Sequence, residues 1–142
     1  MHGNLGNKRK EETMIILDSD VVIDFLRRYP PAIAWLRTLG DEEIALPGYV
    51  VMELIQGCSN KVELRALKRF ISDFEVVWPT VETCDKAVEV FSQYNLSHSL
   101  GLLDTLIGQT AIALDLPLYT FNVKHYSVIP GLATLKPYQR QV

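Results

Sequence analysis

Four acidic side chains stand at points of the chain where alternating strands and helices would gather them. Asp18 and Asp20 follow the apolar run Met14-Ile15-Ile16-Leu17, Glu53 lies inside Val50-Val51-Met52-Glu53-Leu54-Ile55, and Asp104 heads a later helical stretch. Asn122 follows a last short run, Leu118-Tyr119-Thr120. Carboxylates brought together repel, and one or more takes up a proton unless a cation neutralises them. Hard oxygen donors suit Mg2+ or Mn2+ far better than zinc. Such an ion stabilises charge on a phosphoryl group and makes water an attacking nucleophile, so the chemistry these residues favour is phosphodiester hydrolysis. Each residue taken singly also has a structural use. Asp18 or Ser19 suits a helix cap, as does Asp104. Asp20 and Asp24 suit an exposed i, i+4 pair, Glu53 one half of an ion pair with Lys or Arg, and Asn122 a turn.

Positioning these groups falls to the elements around them. Residues 14–17 read as a strand buried on both faces, and Val21, Val22, Phe25 and Leu26 then recur at helical spacing. Pro30 and Pro31 close that helix and open another, carrying Ile33, Trp35, Leu36 and Leu39 up to Gly40. A second strand over 43–46 ends at Pro47-Gly48, and a helix follows over 49–57. Asn60 caps a longer helix with Leu64, Leu67, Phe70, Ile71 and Phe74 on one side. Residues 75–78 read as a third strand, Thr80 opens an amphipathic helix, 95–101 is a polar turn, and 104–114 is helical. Residues 118–120 are a fourth strand, and 132–135 the place for a fifth. The alternation implies a three-layer α/β/α domain around a central, mostly parallel sheet of four to five strands. Ligands of such sheets bind outside the carboxyl ends of the strands, where Asp18 and Asn122 fall.

The 142 residues, 48% hydrophobic and 22% charged, suit one compact domain over 14–142 behind a flexible polar leader over 1–13. A net charge of −3 excludes nucleic-acid binding through a large overall positive charge and leaves only local basic patches. Lys61, Arg65, Lys68 and Arg69 form one such stripe, the pattern of a solvated or partner-facing helix side. Arg27, Arg28 and Lys124 lie nearer the acids in the chain. The aromatic residues Trp35, Phe70, Phe74, Trp78 and Phe91 fall at core positions, without the interleaving with basic residues that marks an RNA-stacking surface. Cys58 and Cys84 are too few for a disulfide scaffold. No apolar run approaches the ~20 residues of a membrane-spanning helix, and residues 1–13 lack the apolar centre of a secretory signal. A cytoplasmic protein is the expectation.

The runs IILDSDVVIDFL, VVMELIQG, LLDTLIGQTA and TFNVKHYSVIPGL occur in the order seen in PIN-domain ribonucleases. Over most of the chain from Met14 to about Pro137, the sequence resembles the VapC-type toxins of toxin–antitoxin pairs. The resemblance implies a PIN-like fold, usually dimeric, a Mg2+-dependent cut in RNA (Mn2+ substituting), and a small antitoxin protein that silences the nuclease. Carried over by motif, Asp18 matches the first family aspartate, a metal ligand. Glu53 matches the glutamate of a Glu-x-x-x-Gly segment ending here at Gly57, and Asp104 matches the aspartate that ligates metal from the later helix. The fourth acidic position departs from the pattern. Asn122 follows the strand, and His125 stands where many relatives carry an acid before the aromatic, here Tyr126. Asp20 replaces a frequent Asn. Asn122 offers a carbonyl oxygen without charge, so a one-metal or weak second-metal site is expected, with Asp20 available to offset the missing acid. Ser19, Lys124, His125 and Arg27 are the candidates for substrate contact. Two other readings stay open: a weak or inactive PIN-fold module that binds RNA or protein, and a haloacid-dehalogenase-like phosphatase built on Asp18 and Asp20.

Overall fold

The computed structural model describes residues 14–141; the expected leader over 1–13 lies outside the described residues. Five strands form one sheet: β1 (Met14–Leu17), β2 (Glu43–Pro47), β3 (Glu75–Val77), β4 (Leu118–Tyr119) and β5 (Thr134–Leu135). Their order is β3-β2-β1-β4-β5, and every pairing is parallel. Successive residues of a strand face opposite sides. Ile15, Ile16 and Leu17 are all buried, so helices cover the sheet on both faces and the expected three-layer architecture holds.

Helices α1 (Ser19–Leu26) and α2 (Pro30–Thr38) link β1 to β2. Proline opens α2, where its missing N–H costs nothing. Helices α3 (Gly48–Gln56) and α4 (Lys61–Ile71) lead to β3. The start of α4 is a reciprocal box: Asn60 accepts from the Glu63 N–H at 2.9 Å while Glu63 accepts from the Ser59 N–H at 2.8 Å. Only Leu67 of α4 is fully buried, and Lys61, Arg65, Lys68 and Arg69 are exposed as their spacing implied. Helices α5 (Val81–His98) and α6 (Leu102–Ala113) lead to β4, and a short α7 (Val123–Tyr126) precedes β5.

Four local expectations need correction. The polar turn expected over 95–101 is helical as far as His98. Tyr94 packs edge-on to the His98 ring at 5.7 Å, and the turn is confined to the residues after Ser99 adopts a left-handed φ of 53°. Helix α4 stops at Ile71, and Phe74 reaches the core from the following turn by packing on Phe70 at 5.1 Å. Trp78 is no core residue. It lies past β3 with 56% of its surface exposed, because its ring lies on the backbone of Gly48, where no Cβ intervenes, and meets Tyr49 at 5.5 Å. Asp24 is not exposed: it is buried on α1, and the C-terminal residues Tyr138 and Arg140 both bond its Oδ2, at 2.6 and 3.2 Å.

Candidate metal and active site

The strand order reverses between β1 and β4, since the chain moves outward to β2 and β3 before returning to the other side of β1. A parallel sheet opens a crevice at such a point, at the carboxyl ends of its strands. Asp18 and Thr120, the residues that immediately follow β1 and β4, flank it. The Asp18 N–H extends the ladder by one bond to the Tyr119 carbonyl at 2.9 Å, and its carboxylate then starts α1 by accepting from the Ser19 N–H at 2.8 Å. The other oxygen accepts from the Thr120 hydroxyl at 2.9 Å. Asp18 is therefore both the helix cap and a buried acid of the crevice. Burial, and secondarily the charge of Asp20, push its pKa up to about 6.

Asp20 Oδ2 accepts from the Phe121 N–H at 2.9 Å and from Thr120 at 3.3 Å, while Oδ1 is buried with no partner. Desolvation raises its pKa as well. Glu53, half-buried on α3, leaves Oε1 buried and unbonded. Among the described residues no Lys or Arg pairs with it, so the structural ion pair is absent. Burial, then repulsion from Asp18 and Asp104, push its pKa up to about 7, against the opposing hydrogen bond of the Ser19 side chain. Asp104 is not a cap. Gly101 holds that position, and Asp104 projects from the first turn of α6. Its Oδ2 lies 2.6 Å from His125 Nε2, and its Oδ1 accepts from the Tyr126 hydroxyl at 3.2 Å.

The four acids thus come from three elements to one place and share their partners. Ser19 sits at the edge of this cluster beside Glu53, and His125 enters it through Asp104. Asn122 does not: its side chain is on an exposed residue and makes no cap bond, and its N–H donates to Thr120 at 3.0 Å. Lys124 is exposed on α7. Arg27, at the end of α1, lines a groove of about 590 Å³ together with Glu53 and Gly57.

Two residues were missed from sequence. Thr120 joins Asp18 to Asp20. The buried Tyr126 hydroxyl donates to Asp104 Oδ1 at 3.2 Å, and burial with the charges of Asp18 and Asp104 holds its pKa far above the usual phenol value. A hydroxyl side chain ending the strand next to the Asp18 strand was the available signal for Thr120. Tyr126 gave none, because the short α7 that turns it inward has no periodicity to read.

The donor set fits a divalent ion in part. Buried, unpartnered carboxylate oxygens on Asp20 and Glu53, and acids whose pKa burial raises, are what a hard cation relieves. Among the described residues, no three His, Cys, Asp or Glu side chains already form a ligand cage.

Fold and site together define an α/β domain with an acidic crevice at the switch point of its sheet. The model of the PIN domain family matches residues 15–129. Ribonuclease VapC19 of Mycobacterium tuberculosis is 38% identical over 125 residues, covering 84% of this chain and 97% of the relative. Ribonuclease VapC10 of the same organism is 36% identical over 126 residues, covering 87% and 92%. The chain belongs to the PIN-domain family, among its VapC ribonucleases. A solved VapBC2 complex from Rickettsia felis, bound to a fragment of promoter DNA, contains a chain of the same fold, with a TM-score of 0.72 at 22% identity and coverage of 86% and 97%. This membership decides against the dehalogenase-like phosphatase. No helix among the described residues is long and apolar enough to cross a membrane.

Proposed function

We propose that this protein is a Mg2+-dependent endoribonuclease acting on RNA phosphodiester bonds, the toxin of a toxin–antitoxin pair. A small cognate antitoxin is its partner, a homodimer its assembly and the cytoplasm its location. The observation that carries the reading is the convergence of Asp18, Asp20, Glu53 and Asp104 on the crevice between β1 and β4, in a chain 38% identical to a named ribonuclease.

Asp18 and Asp104 would hold the ion, with Glu53 and Asp20 completing its surroundings directly or through water. Bound there, it supplies positive charge for the phosphoryl oxygens and makes water nucleophilic near neutral pH. The remaining work belongs to the chain. Thr120 and the Ser19 N–H fix the Asp18 carboxylate, and Tyr126 with His125 fixes that of Asp104. Glu53 Oε1, unbonded and held near neutrality, is the atom able to take a proton from the attacking water. Ser19, His125, Lys124 and Arg27 are the contacts for substrate, and the exposed Asn122 side chain takes no part in holding the ion. The exposed position of Asn122 favours a single tightly held ion.

Cleavage of single-stranded RNA in Mg2+ or Mn2+ and its loss in EDTA test the reading. Asp18→Asn and Asp104→Asn should each lower the rate by about a hundredfold or more, as removal of a transition-state charge does. Cleavage that persists in EDTA, or survives both substitutions, overturns it. RNA binding without any cleavage would instead establish the inactive module.

A further inference from the structure

A second groove, of about 610 Å³, meets the acid cluster at Asp20 and is not lined by Glu53. Its lining includes Asp20, Asp24, Arg27, Arg28, Tyr29 and Arg140. Three guanidiniums therefore meet there in a chain of net negative charge. Two come from the end of α1 and the third from the C-terminal segment, more than a hundred residues later.

Arg140 is a built part of this groove. Its Nε bonds Asp24 Oδ2 at 3.2 Å, its Nη2 reaches the Asp20 carbonyl at 3.4 Å, and its guanidinium stacks over the Phe121 ring at 4.0 Å. The segment is tied down further by Tyr138 on Asp24 at 2.6 Å and by the Gln141 N–H on the Tyr29 hydroxyl at 2.6 Å. Of the groove's two carboxylates, Asp24 accepts from Tyr138 and Arg140, and Asp20 accepts through Oδ2 from Thr120 and Phe121 while its Oδ1 is buried. Arg27 and Arg28 are exposed and hold no hydrogen bond or ion pair through their side chains among the described residues. Arg28 is moreover held at a left-handed φ of 54°, a conformation that favours glycine or asparagine and that a long side chain occupies at a cost. Arg27 also lines the groove that contains Glu53, so it stands between the two.

We propose that Arg27, Arg28 and Arg140 form a phosphate-binding subsite for the RNA strand flanking the scissile bond, with Arg140 locked in place by the C-terminal segment. The ligand is the phosphodiester backbone, which guanidiniums bind through paired N–H donors without reading base identity. The inference rests on the ribonuclease reading and assigns the path by which RNA leaves the acid cluster.

The test is binding of a fluorescently labelled single-stranded RNA to the full chain in EDTA, where no cleavage occurs, followed across a salt series. Arg27→Ala with Arg28→Gly should weaken binding roughly five- to tenfold at low salt and flatten the slope of log K against log salt by about 1.4, two phosphate contacts on a single strand. Arg140→Ala should give a smaller loss, partly restored in Arg140→Lys. Arg28→Gly alone should melt no lower than the wild type, which separates lost contacts from lost folding. The charge-matched control, Lys68→Ala with Arg69→Ala on α4, should leave slope and affinity unchanged. Equal losses from the control and the groove variants, or an unchanged slope in the groove variants, overturn the subsite while a wild type that still cleaves RNA leaves the ribonuclease reading standing. A wild type that neither binds nor cleaves RNA overturns that reading, and the subsite with it.

Discussion

Glu53 shows how a single residue carries the electrostatics of the site. Its carboxyl has a pKa of 4.5 when free and about 7 in the folded chain, raised first by burial and then by Asp18 and Asp104. The native state holds this proton more tightly than the unfolded chain does. Its stabilising effect is complete below pH 4.5 and is lost as pH rises through about 7. Asp18, pushed up to about 6, acts in the same direction. Metal-free protein should therefore melt at lower temperature at pH 8 than at pH 5.5, once the ordinary background of other groups is subtracted with the Glu53→Gln variant. That variant should be more stable than the wild type at pH 8 in EDTA and indistinguishable from it at pH 4.5, while losing most RNA cleavage. Millimolar Mg2+ should raise the wild-type melting temperature more at pH 8 than at pH 5.5, because protonated carboxyls do not bind the ion and bound ion favours the native state by mass action. An identical Mg2+ response at both pH values would contradict the repulsion argument.

At the scale of the elements, two glycines decide what the helix starts can hold. Gly101 caps α6, and a Cβ there would stand 2.9 Å from Asp104 Oδ2, the oxygen bonded to His125. Gly101→Ala should leave the fold intact, since its φ of −77° suits alanine. Displacing that carboxylate should still cut cleavage by about tenfold or more, measured beside an unchanged circular dichroism spectrum. Gly48 begins α3 beneath the Trp78 ring, where a Cβ would collide with the indole. Gly48→Ala should cost about 1–3 kcal/mol by overpacking, and far less in a Trp78→Ala background, so a double-mutant cycle in denaturant should show strong coupling. Such junctions also mark how far the sequence could be read. The apolar run 14–17, the proline start of α2 and the Asn60 cap have local causes, and they carry the strand and helix order. Asp18 was readable too, because the end of a parallel strand has a known address, whereas Glu53 and Asp104 stand within helices and were picked out as an acid in an apolar run and by a family motif. Thr120, Tyr126 and the seat of Trp78 on Gly48 depend on residues distant in sequence, and no local pattern encodes them. The same applies to Asp24, whose spacing from Asp20 looks like a surface pair until Tyr138 and Arg140 return to cover it.

That return concerns the whole molecule. Residues 138–141 close over α1 and the end of β4 through Asp24, Tyr29, Phe121 and the Asp20 carbonyl. The rings of Tyr29, Trp35 and Phe121 each lie 5.0 to 6.2 Å from the Tyr138 ring across this seam, joining α1 and α2 to the end of β4. Removing residues 138–142 would strip Asp24 of the partners that compensate its burial. Breaking a buried charge pair on one side costs about 3–5 kcal/mol when the other charge cannot reach water; here removal of the strap also opens Asp24 to solvent, and about 2–3 kcal/mol is the expected loss. Urea denaturation of the truncated chain should show that decrease as a lower midpoint. Substituting Asp24→Asn should then separate its two sources. In the truncated chain the substitution removes an unpaired charge and should recover part of the loss, whereas in the full chain it breaks a working pair and should destabilise. Opposite signs in the two backgrounds would identify the Asp24 carboxylate as the anchor of the strap. The same sign in both would mean that the aromatic seam alone holds the C-terminus.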